Sequence, residues 1–426
     1  MAPQKRKKPL KIAENQISFL CFRLPCPDPA LFRRHLLTLV VLSIFTKLLV
    51  SFLTTSVFSS FIDYFDIGYY LKDATQIWMG KIPYVHFAYY YPPLSLVSVL
   101  LPLIIALLFN SPIYILTHQI LMCFFDIGTT LLVYLVALRF YDQKRAFICG
   151  FLSATAISAA YFVLTKYDAF PTFLLILSLA LFIYGREAAG YAFSAIGFLV
   201  KWFPVVAYPY YLVYEHLQGK ETRLLARRVL IGAVLVLVIT LPFIVLSPVG
   251  FLNSYILNVE RTQAQSIVFY LDYIANSLGG PSFFGSIIVP VMALIQLGLL
   301  AIYWRVGSKD LRVLCSFIFF AVVLVMVSNH VSSPQYIVWV TPFLALLLAG
   351  SLKSILLFYA YQVWVYLEFP LMFQILYTNS AYTQSPALFG IPGGFFFFTV
   401  KFALLAMILW IVGREVYRIT KPERGN

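Results

Sequence analysis

The chain has 426 residues, of which 61% are hydrophobic and 11% charged, and its mean hydropathy is +0.87. These values exclude an ordinary soluble domain and indicate a polytopic membrane protein. The net charge of +14 does not indicate a nucleic-acid partner, because the basic residues lie in short clusters between apolar runs, without a basic helix or an aromatic platform.

Several apolar runs approach or exceed the ~20 residues that cross a bilayer as a helix. None of them shows the alternation of polar and apolar residues that is typical of a strand in a membrane β-barrel. The sequence therefore predicts an all-α integral membrane protein, a polytopic bundle of about 12 transmembrane segments with an interfacial helix in its first outside loop. We expect a basic cytosolic segment at 1–35, one transmembrane domain at 36–413 and a cytosolic tail at 414–426.

Basic clusters predict the sidedness of the loops. Residues 1–35 carry eight Lys/Arg against two acids, which places this segment in the cytosol by the positive-inside rule. Further basic clusters at 139–145, 220–228, 305–312 and 414–424 are expected on the same side. The loops 61–91 and 248–282 are then extracytoplasmic. The predicted apolar segments are 36–60, 146–165, 170–184, 188–200, 203–214, 229–247, 284–304, 313–328, 336–350, 354–369 and 395–413.

Residues 92–138 must add an odd number of crossings to keep this sidedness. We predict a short re-entrant piece near 92–110 followed by one full crossing. Short broken helices at membrane depth are tolerated where protein or a water-filled cavity surrounds them.

The first outside loop, 61–91, combines acids, tyrosines and prolines. From Asp66 to Trp78 it predicts an amphipathic helix on the membrane, which Gly80 and Pro83 end. The apolar stripe of this helix is Ile67, Leu71, Ala74 and Trp78. Asp66 and Asp73 share a different stripe. An interfacial helix whose acids are merely solvated is the alternative that the residues leave open.

This loop resembles a known family. The stretch YFDIGYYLKDATQIWMGKIPYVHFAYYYPPLS, residues 64–95, is similar to the first lumenal loop of polytopic GT-C glycosyltransferases, especially the catalytic subunit of GPI mannosyltransferase I and the bacterial family 87 enzymes. The matching residues are Tyr64, Asp66, Ile67, Tyr69, Asp73, Ala74, Gly80, Pro83, Tyr84, Tyr91, Pro92, Pro93 and Leu94. Weaker similarities to sequence segments of the same family lie at 166–171, 197–209, 256–273 and 329–342. The mannosyltransferase has Asp-x-Asp where this chain has Asp66-Ile67-Gly68, so the single-Asp pattern of family 87 fits better.

The resemblance implies transfer of a hexose, most of all mannose, from a polyprenyl or dolichyl phosphate sugar. The leaving phosphate is stable as an anion, so no general acid is needed; one carboxylate must take the proton of the attacking hydroxyl, and cations must hold the phosphate. We assign Asp66 as this base, with inversion at the anomeric carbon. Asp63 and Asp73 are alternatives or acceptor-binding groups.

Three cations are candidates for binding the donor phosphate: Lys201, Arg261 and His330. Each stands in an outside-facing, family-like segment next to apolar sequence. The alternatives are a snorkelling lysine at a helix end, a surface ion pair of Arg261 with Glu260, and a structural histidine.

Further candidates would bind the acceptor or the sugar. Asp168 is one, although an ion pair with its neighbour Lys166 is the favoured reading of that acid. Gln335 and Tyr336 resemble the family's Ser-Gln-Tyr segment, and Tyr84 is a candidate by its location in the first loop.

Lys47 and Asp126 fall deep in apolar segments, where an unpaired charge costs at least ~2.5–3.5 kcal/mol on insertion scales. We therefore expect them to be paired or to line a cavity, and we assign them no chemistry. No metal site is predicted, because neither the five cysteines nor any carboxylate and histidine cluster has ligand spacing.

The sequence thus predicts a membrane hexosyltransferase that needs no obligate cofactor. Its expected partners are membrane lipid, the polyprenyl-phosphate sugar donor and a glycolipid or glycan acceptor, with a small membrane subunit as a further candidate. The rival functions are a transporter or lipid flippase, against which the missing internal repeats speak, and a non-catalytic subunit of a glycosyltransferase complex.

Overall fold

The computed structural model describes residues 16–19, 22–25, 28–59, 62–110, 112–259, 266–281, 283–372, 387–388 and 391–421. In these ranges the chain is helical apart from turns and two short antiparallel hairpins, Gln16–Phe19 with Phe22–Pro25 and Ala387–Leu388 with Ile391–Pro392. The helical class predicted from the apolar runs is confirmed. Arg261 and part of the predicted extracytoplasmic loop 248–282 lie outside the described residues.

The helices are labelled α1 to α17 in chain order. They are α1 Pro29–Phe52, α2 Phe65–Trp78, α3 Leu96–Leu108, α4 Tyr114–Phe140, α5 Gln143–Ala154, α6 Ile157–Thr165, α7 Ala169–Ile183, α8 Glu187–Val200, α9 Ala207–Leu217, α10 Thr222–Leu246, α11 Pro248–Val259, α12 Ile267–Ser277, α13 Phe284–Val306, α14 Leu311–Ser328, α15 Ile337–Leu348, α16 Leu352–Tyr366 and α17 Gly393–Thr420.

Among the described residues, six helices are long and apolar enough to cross a membrane: α1 with its π-helical extension, α4, α10, α13, α14 and α17. The pair α5 and α6, bent by 49°, makes a seventh if it is one broken span. Shorter apolar helices are Pro93–Leu108, α7, α8 and Pro334–Leu348. The chain is therefore a helical, multi-pass membrane protein, while about 12 crossings stay a prediction.

The segment 92–138 forms a short helix and a long one, as the apolar pattern indicated. A 3₁₀ turn at Pro93–Ser95 leads into α3, which has 13 residues, and α4 follows with 27. A helix of 13 residues is about 20 Å long, too short for a straight crossing. Its re-entry stays a prediction, since length alone does not fix it.

The turns that carry basic residues meet at one end of the bundle. The turn between α4 and α5 contacts α15, because Tyr141 Oη donates to the Leu346 carbonyl at 3.2 Å. It also contacts the start of α1, because Gln143 Nε2 donates to the Asp28 carbonyl at 3.1 Å. We call this the basic end, after the cluster 139–145. The turn between α6 and α7 lies at the far end of the α5–α6 span.

The core lies among α4–α9 and α14–α16, whereas two of the long apolar helices are peripheral. In the most apolar stretch of α10 only 11% of the residues are buried in the protein, and in that of α13 none is. Exposed apolar side chains in such numbers are unfavourable in water. In a membrane protein, lipid contacts them instead.

The two charges deep in apolar sequence are paired, as predicted. Lys47 on α1 forms an ion pair with Asp126 on α4, and its ammonium also donates to Ser43 Oγ at 2.7 Å. Each partner removes the cost of burying the other's charge, so the pair ties α1 to α4.

Candidate functional site

Two carboxylates of the first loop meet one lysine from the turn between α6 and α7. Lys166 Nζ lies 2.9 Å from Asp63 Oδ2 and 3.0 Å from Asp66 Oδ2. Lys166 is only 5% exposed, so its ammonium is enclosed by protein. Asp63, three residues before Asp66, is thus a second carboxylate at the same lysine.

The start of α2 gives the two carboxylates different roles. Asp63 Oδ1 accepts the backbone N–H of Phe65 at 2.9 Å, and the Asp63 N–H donates to Tyr161 Oη at 3.2 Å. Both oxygens of Asp63 are therefore engaged. Asp66 lies in the first turn of α2, where the helix dipole favours an anion.

Asp66 keeps one oxygen available. Its Oδ2 is engaged by Lys166, but its Oδ1 takes part in no hydrogen bond among the described residues. The Asp66 side chain is 26% exposed, more than that of Asp63 or Lys166. Asp66 is thus a carboxylate held by one oxygen and open at the other.

The ion pairs keep Lys166 charged. Burial by itself lowers the pKa of the Lys166 ammonium, but the nearby Asp66 and Asp63 carboxylates outweigh that effect and raise the pKa above its ordinary value. Lys166 follows the last residue of α6, so the C-terminal end of the helix dipole also favours its positive charge.

A second ion pair adjoins the first through the same turn. Lys201 Nζ lies 2.6 Å from Asp168 Oδ1, and Trp339 Nε1 donates to the same oxygen at 2.5 Å. Asp168 is fully buried, and its Oδ2 has no hydrogen-bond partner in the described part of the chain. This acid joins the start of α7, the end of α8 and α15.

The predicted ion pair between Asp168 and Lys166 is wrong. Lys166 has an extended backbone after α6, whereas Asp168 already has helical φ and ψ at the start of α7. Their side chains reach different partners: Lys166 binds Asp63 and Asp66, and Asp168 binds Lys201.

Lys201 points into the protein and does not snorkel. Its ammonium lies 4.7 Å from the ring centre of Tyr167 and 5.4 Å from that of Trp339, distances at which a cation is attracted to an aromatic face. Trp339 itself stacks between Phe203, at 4.2 Å, and Tyr336, at 3.9 Å. Lys201 is therefore held by one carboxylate and a wall of rings.

We call Asp63, Asp66, Lys166, Asp168 and Lys201 the carboxylate–lysine cluster. It contains three acids and two bases, all at the end of the bundle away from the basic end. The ring of Tyr167, between Lys166 and Asp168 in sequence, is buried, and its hydroxyl has no hydrogen-bond partner among the described residues.

Of the other predicted ligands in the segment 329–336, Tyr336 lies beside the cluster. Tyr336 Oη accepts from Asn329 Nδ2 at 3.2 Å, and its ring is 6.0 Å from the Lys201 ammonium. Gln335 is half-buried in the same 3₁₀ turn. His330 Nε2 is buried without a hydrogen-bond partner in the described ranges, so this nitrogen is available to a ligand. Arg261 lies outside the described residues.

Asp73 does not join the cluster. It is two turns beyond Asp66 on α2, about 10 Å along the axis. Its side chain is on the buried face of α2, and burial raises its pKa to about 6, with Lys72 opposing that shift.

The buried face of α2 differs from the predicted stripe. The helix buries Ile67, Tyr70, Asp73 and Ala74 against the protein, while Leu71 and Trp78 are exposed. Tyr70 is buried in place of Leu71 because its ring packs edge-on against the ring of Tyr167, with the two ring centres 5.5 Å apart. Of the predicted apolar stripe, Ile67 and Ala74 are thus buried against the protein, whereas Leu71 and Trp78 face outward; its contact with a membrane stays a prediction.

Tyr84 is also remote from the cluster. It has a positive φ of 66°, its hydroxyl donates to the Tyr91 carbonyl, and its ring packs on Phe243 of α10 and Phe251 of α11. The described contacts of Tyr84 are thus structural, and they fasten the first loop to α10 and α11.

Sequence reasoning missed Lys166 and Trp339 as members of the site, and also a buried pair elsewhere. Lys401 on α17 lies 2.9 Å from Glu368, which follows α16, and both are buried. The adjacent cavity, about 10 Å³, has room for a single water and not for a sugar. The signal for the three charged residues was present, since a charge beside a long apolar run is costly unless it is paired; no such signal marks Trp339.

Within the described residues, no group of three or more His, Cys, Asp or Glu side chains is arranged to hold a metal ion. No protein-family model, curated protein or solved structure matches the chain. The resemblance of the first loop to GT-C glycosyltransferases therefore stays a prediction that depends on its motif residues.

Proposed function

We propose that the protein is a GT-C-type glycosyltransferase that moves a hexose from a polyprenyl or dolichyl phosphate to a lipid-linked or extracytoplasmic acceptor. Mannose is the first candidate for this hexose. The observation that supports this most is Asp66. It belongs to the motif that resembles the family, and it has one oxygen fixed by Lys166 and one oxygen without a partner in the described part of the chain. A general base needs such an oxygen within reach of the hydroxyl that it deprotonates.

The cluster also suits the leaving group. An ammonium has three N–H donors; Lys166 uses two on Asp63 and Asp66, and Lys201 uses one on Asp168. Lys201 can therefore donate to a phosphate oxygen without leaving its carboxylate, while the buried Lys166 holds Asp63 and Asp66 in place. His330 Nε2 would add a further contact from the neighbouring segment.

The transfer itself can be tested with purified full-length protein in lipid nanodiscs. Supplied with radiolabelled polyprenyl-phosphate mannose and a glycolipid extract as acceptor, the wild-type chain is expected to form a labelled lipid product. The new linkage should have the anomeric configuration opposite to that of the donor, which digestion with α- and β-mannosidase distinguishes. Hydrolysis of the donor without any labelled product would contradict the proposal.

Transport is the second candidate function, favoured by the Lys47–Asp126 pair. This pair lies about halfway along α4, where transporters often hold charges. The same nanodisc protein, reconstituted in liposomes, would then move a fluorescent polyprenyl-phosphate lipid between leaflets, and dithionite quenching would report it. Under our proposal, the quenched fraction equals that of protein-free liposomes.

A further inference from the structure

We propose that Lys166 is a positioning residue that occupies the place of a divalent cation between Asp63 and Asp66, so that the site works with a cation built into the chain. The proposal deepens the proposed transfer function and rests on it for its catalytic meaning. Its geometry depends only on the first loop and the turn between α6 and α7.

The two carboxylates converge on one point. Asp63 and Asp66 come from the residues that begin α2, and each directs its Oδ2 at the Lys166 ammonium, at 2.9 and 3.0 Å. Oxygens of two acids directed at a common centre are the arrangement that binds Mg²⁺ or Mn²⁺. Here a buried ammonium fills that centre.

An ammonium at this point does three things that a metal would do. It offsets the repulsion between two carboxylates, it fixes Asp66 by one oxygen, and it leaves Asp66 Oδ1 without a partner among the residues that the structure describes. It also differs from a metal, because the lysine is covalently part of the chain, in the turn between α6 and α7, and cannot dissociate. Since metal–oxygen distances are about 2.0–2.2 Å, a divalent ion enters only if the ammonium leaves.

Removing the ammonium should therefore create a metal site. We expect purified Lys166→Ala to bind one Mn²⁺ per chain in an EPR titration of free Mn²⁺, while the wild-type chain binds none in excess of empty nanodiscs. The double variant Lys166→Ala/Asp63→Asn should lose this binding, because one carboxylate remains. Lys201→Ala is the matched control: it also removes a cation, but a single carboxylate, Asp168, faced that cation.

Binding of Mn²⁺ by the wild-type chain that Asp63→Asn abolishes, or the absence of binding by folded Lys166→Ala, would overturn the proposal. Should Lys166→Ala not fold, Lys166→Met takes its place, because its unbranched apolar chain fills the volume of the lysine stem. The wild-type chain gives an independent measurement. Its sugar transfer should be the same in EDTA and in millimolar MgCl₂ or MnCl₂, and a tenfold loss of transfer in EDTA would refute the internal cation.

The two proposals can fail separately. If the wild-type chain transfers sugar but needs a divalent ion, the transferase assignment stands and the role of Lys166 is wrong. If it transfers no sugar under any condition, the transferase assignment is wrong, and the Mn²⁺ titration still decides whether Lys166 occupies a cation site.

Discussion

At the scale of single residues, the difference between Asp63 and Asp66 carries the functional argument. Both contact Lys166. The second oxygen of Asp63 also accepts a hydrogen bond from the backbone at the start of α2, whereas Asp66 makes no such bond among the described residues. A carboxylate bonded to the backbone at the start of a helix is tied to the fold, whereas one whose second oxygen has no partner among the described residues can take up a proton. Two acids of the same type, three residues apart, are therefore suited to different tasks.

Asp73 gives a prediction about pH. Burial raises the pKa of Asp73 in the folded protein to about 6, above the ordinary 3.8. The folded protein therefore binds this proton more tightly than the unfolded chain does. The resulting contribution to the free energy of unfolding is fully present below about pH 4 and is lost as pH rises through 6. The loss is about 3 kcal/mol at most. We expect Asp73→Asn to raise Tm relative to the wild type above pH 6.

The size of that Tm difference should fall as pH is lowered and vanish near pH 4. Thermal unfolding followed by intrinsic fluorescence at several pH values measures it, with Asp142→Asn at the basic end as a control of the same chemistry. A Tm difference that does not change between pH 4 and 7 would show that Asp73 is ionised in the folded protein.

At the scale of elements, Asp168 holds three helices together. Asp168→Asn should destabilise the protein by about 3 kcal/mol, because the buried Lys201 ammonium loses its counter-charge. Asp168→Asn/Lys201→Met should be more stable than the single variant, since the unpaired charge is gone. If the two substitutions prove additive in a double-mutant cycle of unfolding, the ion pair contributes nothing to stability.

The contact between α11 and the first loop depends on a glycine. A Cβ on Gly250 would lie 1.9 Å from the Tyr84 carbonyl oxygen, so Gly250→Ala must push α11 away from that loop. We expect Gly250→Ala to lower Tm by several degrees, measured by thermal unfolding in detergent.

Gly298→Ala on α13 is the matched control. A Cβ there meets nothing within 4 Å, and alanine is favoured over glycine inside a helix by roughly 0.5–1 kcal/mol. Its Tm should be unchanged or slightly higher. Equal Tm values for the two variants would mean that α11 does not pack on Tyr84 as described.

At the scale of the whole molecule, apolar length predicted most helices, because the cost of exposing backbone in hydrocarbon leaves few other structures. The long runs of α10, α13 and α14 lie where the sequence indicated. The partners of charged residues were harder to predict. Lys47 with Asp126 followed from the cost of burial, but Lys201 with Asp168 depends on how two separate turns meet, which no local pattern encodes.

Sidedness is also a property of the whole chain. In a cysteine-free background, Tyr90→Cys in the first loop should react with an impermeant maleimide added to intact cells, because Tyr90 is exposed and the loop is predicted outside. Lys144→Cys, exposed at the basic end, should react only after permeabilisation. The reverse pattern would place the carboxylate–lysine cluster in the cytosol.

The most direct test of the central claim compares Asp66→Asn with the wild-type chain in one nanodisc preparation. Asparagine keeps the shape of the side chain and removes its basicity, so we expect transfer of labelled mannose to fall by about 10²–10⁴-fold. Binding of the labelled donor should change by less than about threefold, because the phosphate contacts assigned to Lys201 and His330 are retained. Transfer at the wild-type rate would show that Asp66 is not the base.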